Sequence, residues 1–439
     1  MLIAWGRIDM SISEALREAM AHRDLSKNEI IRRTGIDRST FYQIINGRRN
    51  ATPAQLTAIL KHLNLDQQER LHLIQIYERE RVGDAVYKDW EQITNFLKRL
   101  DHTENNTEEV RSFPVITQAM ERVAESENPS LIRFFLPGTL LNSLGIYQDL
   151  VRIASQHPDR EFKAMFLLAP MIESTVFETV LDNLPELLQL LQSTNLRICA
   201  GSVPAATAEF TYITPYPYYI LTGDSLILFS EDGSKMTTVN EKSYLQIYDE
   251  TFQKVYCRAG NVIESPHTLS AMMETISRYF QIFAGQEIIF LTPVPCINLS
   301  ITDAQLTRYF PDERLLAFKH LLEKVSVTEF TSRMGMQRML KERSVDENGV
   351  HIDILPEDIP ILAHNIEERL KKNLYFLIEE TVTVPRNWGI YVFGEEILVI
   401  VSHNNCRSLI TVCNRDITKK FADWFRSRRD MIQYHLTDE

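Results

Sequence analysis

Between Ser26 and Arg49 the chain carries Lys27, Arg32, Arg33, Arg38, Arg48 and Arg49 against only Glu29 and Asp37, a local net charge of +4. Cations at that density point to a polyanionic partner for this segment. The whole chain is acidic, with 47 basic and 59 acidic side chains and a formal net charge of −12. Charge is unevenly distributed, however. Residues 1–81 hold 13 Lys/Arg and 10 Asp/Glu, a net of +3, which leaves −15 on the remainder. The acidic total therefore does not exclude a nucleic-acid partner for the first domain.

Other combinations of reactive residues fall short of a catalytic set. Gly223-Asp-Ser-Leu resembles the short signature of one family of serine hydrolases, but a serine nucleophile needs a base, and no Asp-x-x-His follows. Ala200-Gly201 with a nearby serine resembles the cleavage site of self-cleaving repressors. A Ser-Lys dyad requires a lysine deprotonated by burial, and Lys235, Lys242 and Lys254 stand in no apolar strand context. His403, Cys406 and Cys413 form a corner short of the four ligands that zinc takes. No metal and no cofactor is expected, and the chain is read as having no catalytic activity. The aromatic run Tyr212–Tyr219 has two readings: Tyr216, Tyr218 and Tyr219 as a stacking platform for a flat ligand, or a rigid loop leading into a strand.

The elements that must position the basic residues are short, strongly punctuated helices. Ser11 or Ser13 caps a first helix with Ile12, Ala15, Leu16 and Ala19 inward. Ser26 caps a second, with Glu29 completing a capping box, and Gly35 ends it. Asp37 caps a third, Arg38–Asn46, burying Phe41, Ile44 and Ile45, and Gly47 terminates it. Pro53 opens a fourth helix, with Leu56, Ile59, Leu60 and Leu63 at helical period. Asp66 caps a fifth, to about Glu80.

Helix, Gly-containing turn, helix is the helix-turn-helix pattern. Residues 26–49, with Thr52-Pro53 and Leu56-x-x-Ile59-x-x-x-Leu63, resemble the DNA-binding domain of Cro/CI-type (Xre-like) repressors over about residues 11–80. The resemblance implies that the third helix enters the major groove. It places Arg38, Ser39 and Gln43 at base edges, with Thr40 and Tyr42 nearby. Lys27, Asn46, Arg48 and Arg49 then contact phosphates, which position the domain without specifying sequence. It further implies a symmetric homodimer on a palindromic double-stranded operator.

Asp84–Leu100 reads as an amphipathic helix with Trp90, Ile93, Phe96, Leu97 and Leu100 on one side. That stripe is either a dimer seam or packing within its own domain. From Leu131 the pattern changes to short β-rich runs between helices: Leu131–Leu136, Phe162–Leu168, Leu196–Ala200, Tyr218–Leu221, Ser225–Ser230 and Lys235–Val239. Helices are expected at 139–156, 172–193 and 243–257, and a connecting helix at Pro266–Ala284. An internal repeat accompanies them. Ile132–Pro137 parallels Ile288–Pro293, Gly223-Asp parallels Gly394-Glu, Thr238-Val239 parallels Thr411-Val412, and Phe252 parallels Phe421, all in order.

Two such repeats are similar to the phospholipase D-like fold, degenerate versions of which serve as sensor domains. That family uses His-x-Lys-x4-Asp in each half. With Asp224 in the Asp position, Pro217 and Tyr219 replace the His and Lys; with Glu395 there, Trp388 and Ile390 do. The resemblance therefore implies a non-catalytic sensor. The expected organisation is an all-α helix-turn-helix domain (1–81), a helical linker (82–130), a first α/β repeat (131–265), and a connecting helix with a second α/β repeat (266–439). The expected protein is a sequence-specific transcription regulator whose C-terminal region senses an unknown effector or dimerises. A C-terminal region that only binds a partner protein, and an enzyme targeted by its N-terminal domain, are the alternatives. Five cysteines without a C-x-x-C pair, no apolar run of membrane length and no signal-like start suggest a cytoplasmic protein with no membrane partner.

Overall fold

The computed structural model describes residues 10–101, 114–125, 131–137, 144–168, 196–202, 216–230, 233–258, 262–263, 269–310, 313–347, 350–378, 384–402, 409–413 and 415–432. The expected helix at 172–193, the start at Met1–Trp5, the linker core at 102–109, Tyr212–Pro215, and His403 with Cys406 lie outside these residues. The chain divides into two compact units, Met1–Thr94 with Asp423–Glu439, and Asn95–Ala422.

The first unit begins with five helices: α1 (Ile12–His22), α2 (Lys27–Thr34), α3 (Arg38–Ile45), α4 (Pro53–Lys61) and α5 (Gln67–Val82). Their apolar faces close on one core that includes Leu16, Ile30, Phe41, Ile45, Leu56, Ile59 and Leu73. The caps follow the sequence pattern with one exception. Ser11, Thr52 and Asp66 each form a reciprocal capping box, with Glu14, Gln55 and Glu69 respectively. At Ser26 the box is only half made. Its hydroxyl accepts from the Glu29 amide at 3.2 Å, but the Glu29 carboxylate pairs with Arg33 at 2.5 Å. A guanidinium one turn on outcompetes a neutral backbone N–H for the same carboxylate.

Helix α6 (Asp84–Asp101) carries the predicted stripe, and Trp90, Ile93, Phe96, Leu97 and Leu100 are all buried by the chain itself. Of the two readings of that stripe, its burial fits packing within the chain, since a covered face is not free for a second copy. Phe96 meets Phe421 edge to face, with ring centroids 5.9 Å apart. Helix α7 (Pro114–Glu125) follows.

The second unit is mixed α/β, as the β-rich runs predict. A first sheet is formed by β1 (Leu131–Pro137), β2 (Glu161–Leu168), β3 (Leu196–Ser202), β4 (Tyr218–Leu221), β5 (Leu226–Phe229), β6 (Met236–Val239) and β7 (Val262–Ile263). Their order is β6-β5-β4-β1-β2-β3-β7. Helix α8 (Leu144–Gln156) connects β1 to β2, and α9 (Lys242–Arg258) follows β6. Helix α10 (Leu269–Ile282) leads into a second sheet. It comprises β8 (Ile288–Thr292), β9 (Val327–Ser332), β12 (Tyr375–Ile378), β13 (Trp388–Phe393), β14 (Ile397–Ser402) and β15 (Leu409–Val412), in the order β12-β9-β8-β13-β14-β15. Helices α11 (Ile297–Ser300), α12 (Asp303–Tyr309) and α13 (Glu313–Glu323) join β8 to β9. Helix α14 (Arg333–Glu342), a hairpin of β10 (Ser344–Glu347) and β11 (Val350–Asp353), and α15 (Ile359–Lys371) join β9 to β12. Helix α16 (Arg415–Ile432) follows β15.

The two sheets share one plan. β1, β2 and β3 are parallel neighbours, as are β8, β9 and β12, and an antiparallel run pairs with the leading strand of each set through β4 and β13. The repeated residues fall in equivalent places. Ile132 and Ile288 lie on leading strands, Gly223 and Gly394 in the following hairpin turns, Thr238 and Thr411 on the last strands, and Phe252 and Phe421 buried on the closing helices. Among the described residues, a hairpin such as β10–β11 is seen in the second repeat and not in the first. The second sheet is buried on both faces, so β8, β12, β13 and β15 read as continuous apolar runs without alternation.

One charged side chain sits wholly inside this sheet. Glu329 on β9 is 0% exposed. One carboxylate oxygen accepts from the Cys296 amide (2.6 Å) and the Thr292 hydroxyl (3.1 Å), and the other from Arg369 Nη1 (2.5 Å). A buried carboxylate is tolerable only when paired and hydrogen-bonded in this way. Arg369→Met is expected to destabilise the protein by about 3–5 kcal/mol, because it strands that charge. Urea unfolding checks this, and a loss below about 1 kcal/mol contradicts the role given to the pair.

Candidate nucleic-acid interface

Helix α3 has only eight residues, too few to persist alone, so its position is imposed from both ends and from beneath. Phe41, Ile44 and Ile45 anchor its buried face. Asp37 caps its start, one carboxylate oxygen accepting from the amides of Ser39 (2.8 Å) and Thr40 (3.1 Å). The Thr40 amide bond, then those from Ser39, hold the Asp37 carboxyl below its ordinary range. Gly35 supplies the left-handed turn between α2 and α3 at φ 66°. At the other end Gly47 is also left-handed, at φ 68°, and a Cβ there would stand 3.0 Å from Ser13 Oγ.

These constraints present one polar face. Arg38, Ser39, Gln43 and Asn46 are exposed, and Thr40 and Tyr42 are half-buried beside them. Lys27, in the first turn of α2, places its ammonium 5.4 Å from the Tyr42 ring centroid, and the Arg38 guanidinium lies 5.8 Å from the same ring. Two cations thus approach one aromatic ring, which keeps both side chains near the surface of α3. Arg48 and Arg49 are exposed in the loop after α3. The structure therefore brings Lys27, Arg38, Tyr42 and the polar face of α3 together, with Arg48 and Arg49 at its C-terminal end.

Three supporting residues escaped the sequence reading. Arg17 of α1 donates to the Ile45 carbonyl at 2.9 Å, holding the last turn of α3. Tyr77 of α5 donates its hydroxyl to the Ala51 carbonyl at 3.0 Å, fixing the loop that carries Arg48 and Arg49. Glu80 of α5 accepts from the Ile12 amide at 2.8 Å. These partners lie 28, 26 and 68 residues apart in the chain, beyond any local spacing rule.

The aromatic run behaves differently from the helical face. Tyr219 lies in β4 and is buried, stacked on Phe135 (4.9 Å) and edge to face with Tyr248. Tyr216 and Tyr218 are half-buried. Tyr219 thus packs in the core and offers no free stacking face. Gly223-Asp-Ser forms the β4–β5 turn, where the Thr222 hydroxyl contacts Asp224 at 2.7 Å. Ala200-Gly201 sits within β3, paired to β2, and Lys235, Lys242 and Lys254 are exposed, without the burial a Ser-Lys dyad requires.

Residues 11–73 match the helix-turn-helix domain family. The N-terminal segment is accordingly a helix-turn-helix DNA-binding segment, which points to a DNA-binding regulator. Comparison with curated proteins found no match. Among solved structures, the chain is similar to the crystal structure of polyphosphate kinase from Porphyromonas gingivalis, at 10% identity and a TM-score of 0.22. That likeness covers 72% of this chain and 48% of the enzyme, so the chain spans about half of the enzyme's length. Because this neighbour is an enzyme, the expectation of a chain without catalytic activity is corrected and is not retained. At that TM-score the likeness transfers neither fold nor activity to this chain. Among the described residues, no helix is long and apolar enough to cross a membrane.

The Asp37 cap has a definite pH signature. Its carboxyl is depressed in the folded state, so its contribution is present above the ordinary value of 3.8 and is lost as pH falls through the lower folded value. The difference in melting temperature between wild type and Asp37→Ala is expected to be steady near neutrality and to close as pH falls below 3.8. Calorimetry at several pH values checks this, and a difference that persists unchanged at the acid end rejects the charged cap.

Proposed function

We propose that this protein is a sequence-specific, Cro/CI-type DNA-binding transcription regulator that reads double-stranded DNA with α3. The observation that carries the reading is the capped, rigidly held α3 whose outward face is Arg38, Ser39, Tyr42, Gln43 and Asn46 over a wholly apolar inner face. Packing alone has no use for that face. Arg38 and Gln43 are the base readers, since a guanidinium and an amide match guanine and adenine edges bidentately. Ser39, Thr40 and Tyr42 flank them. Lys27, Asn46, Arg48 and Arg49 contact phosphates. One short helix reads few base pairs, so two copies on a palindromic pair of half-sites supply the specificity. The C-terminal repeats, similar in plan to the phospholipase D-like fold, take the signal from an effector or partner protein and pass it to the DNA-binding segment.

Selection from a random duplex pool, followed by binding titrations, tests this. Arg38→Ala is expected to cost roughly 1–3 kcal/mol on the selected duplex and little on random DNA. Arg48→Ala is expected to weaken both equally and to reduce the steepness of the salt dependence by about one. No enriched sequence, or equal losses for Arg38→Ala on both duplexes, rejects base reading by α3.

A further inference from the structure

We propose that the last turns of α16, Asp423–Ile432, form a latch on α5 that sets the DNA affinity of the helical unit. This inference rests on the reading of α3 as a DNA-binding helix. The contact is a built one. Arg428 Nη1 donates to the Glu78 carboxylate at 2.5 Å, and Glu78 is only 2% exposed. Arg81 Nη2 donates to the Ser427 hydroxyl, and the Arg428 guanidinium lies 5.3 Å from the centroid of the fully buried Trp424 ring. The pairs are 350 and 346 residues apart in the chain. The last helix of the second repeat thus ends as part of the DNA-binding unit.

Position on α5 gives the latch its effect. Glu78 and Arg81 share one turn with Tyr77, which holds the Ala51 carbonyl, and Glu80, which holds the Ile12 amide. That turn therefore ties α16 to the loop carrying Arg48 and Arg49 and to the start of α1. Releasing α16 leaves the Glu78 carboxylate buried without its cation, and α5 must shift to hydrate it. The loop that presents the phosphate-binding arginines shifts with it.

The latch is also poised to open. Trp424 Nε1, Arg81 Nε and Arg428 Nε are buried donors without acceptors among the described residues. Each weakens the docked state relative to one exposed to water. Helix α16 follows β15 directly in the chain, so it is the element through which a ligand or partner of the second sheet biases this equilibrium.

Full-length wild type, Arg428→Met and Ser427→Ala are to be compared by amide hydrogen exchange and by binding to selected and random duplexes. Arg428→Met is expected to speed exchange roughly tenfold or more in residues 77–82 and 48–52. It is expected to weaken binding to both duplexes by at least about fivefold. Ser427→Ala, which removes only the Arg81 acceptor and so preserves folding, is expected to act in the same direction to a smaller extent. Wild-type exchange and affinity retained in both variants overturn the latch while leaving the function of α3 intact. If wild type itself enriches no duplex, the DNA-binding reading is what fails, and the affinity-setting role falls with it.

Discussion

Eight residues make too short a helix to exist on their own, and that constraint governs the N-terminal segment. Helix α3 is held because every one of its free ends is met from outside. Asp37 takes the first amides, Arg17 takes the Ile45 carbonyl, and Phe41, Ile44 and Ile45 fix the rotation about its axis. The outward face is then free of structural duty. Its polar and basic side chains contribute nothing to the core and are available to a ligand. Rigidity matters for the same reason: a bidentate contact to a base edge tolerates little displacement of the guanidinium.

The α/β unit obeys a different constraint, the burial of a sheet on both faces. Strands such as Trp388–Phe393 and Leu409–Val412 are buried at every position because neither face meets water. The same plan occurs twice, with three parallel strands and an antiparallel extension, and the repeated residues occupy equivalent points of it. Within this apolar setting Glu329 is the exception. Its ligands come from β8, from the start of α11 and from α15, so the carboxylate joins three elements that hydrophobic packing alone would leave free to slide. The first sheet has no counterpart at the equivalent point: Phe134 stands where Phe290 does, and the residue opposite it is Ala164, where β9 has Glu329.

What was legible in the chain divides by range. Caps, glycine stops and 3.6-residue periodicity are local, and they located the first five helices to within a few residues. The repeat was legible because duplication preserves order even where side chains drift. The half-made box at Ser26 was not, since spacing alone cannot say that Glu29 prefers Arg33. Nor were the long-range supports. Arg17, Tyr77 and Glu80 look like ordinary helical residues, and nothing near Glu78 marks it as the partner of Arg428. The Trp90 stripe was legible as apolar but not as already covered, because a pattern shows which face is buried and not by what. The polar face of α3 is the intermediate case: its residues were legible as a set, while the Lys27–Tyr42–Arg38 grouping arises only in the folded chain.

The charge distribution acquires a structural meaning from these supports. The basic excess of the first 81 residues is not all available to a polyanion. Arg33 is bound to Glu29, Arg23 to Glu69 and Arg81 to Ser427 within the unit itself, whereas Arg48 and Arg49 stand exposed beyond the end of α3. Some of the positive charge thus builds the scaffold, and some faces outward on it. The last helix then adds Arg428 to this unit, but turns its charge inward onto Glu78. A cation spent on a buried carboxylate adds nothing to phosphate attraction. Its influence on DNA runs through the geometry of α5 and the loop that Tyr77 holds, which makes it a control on the interface without being part of it.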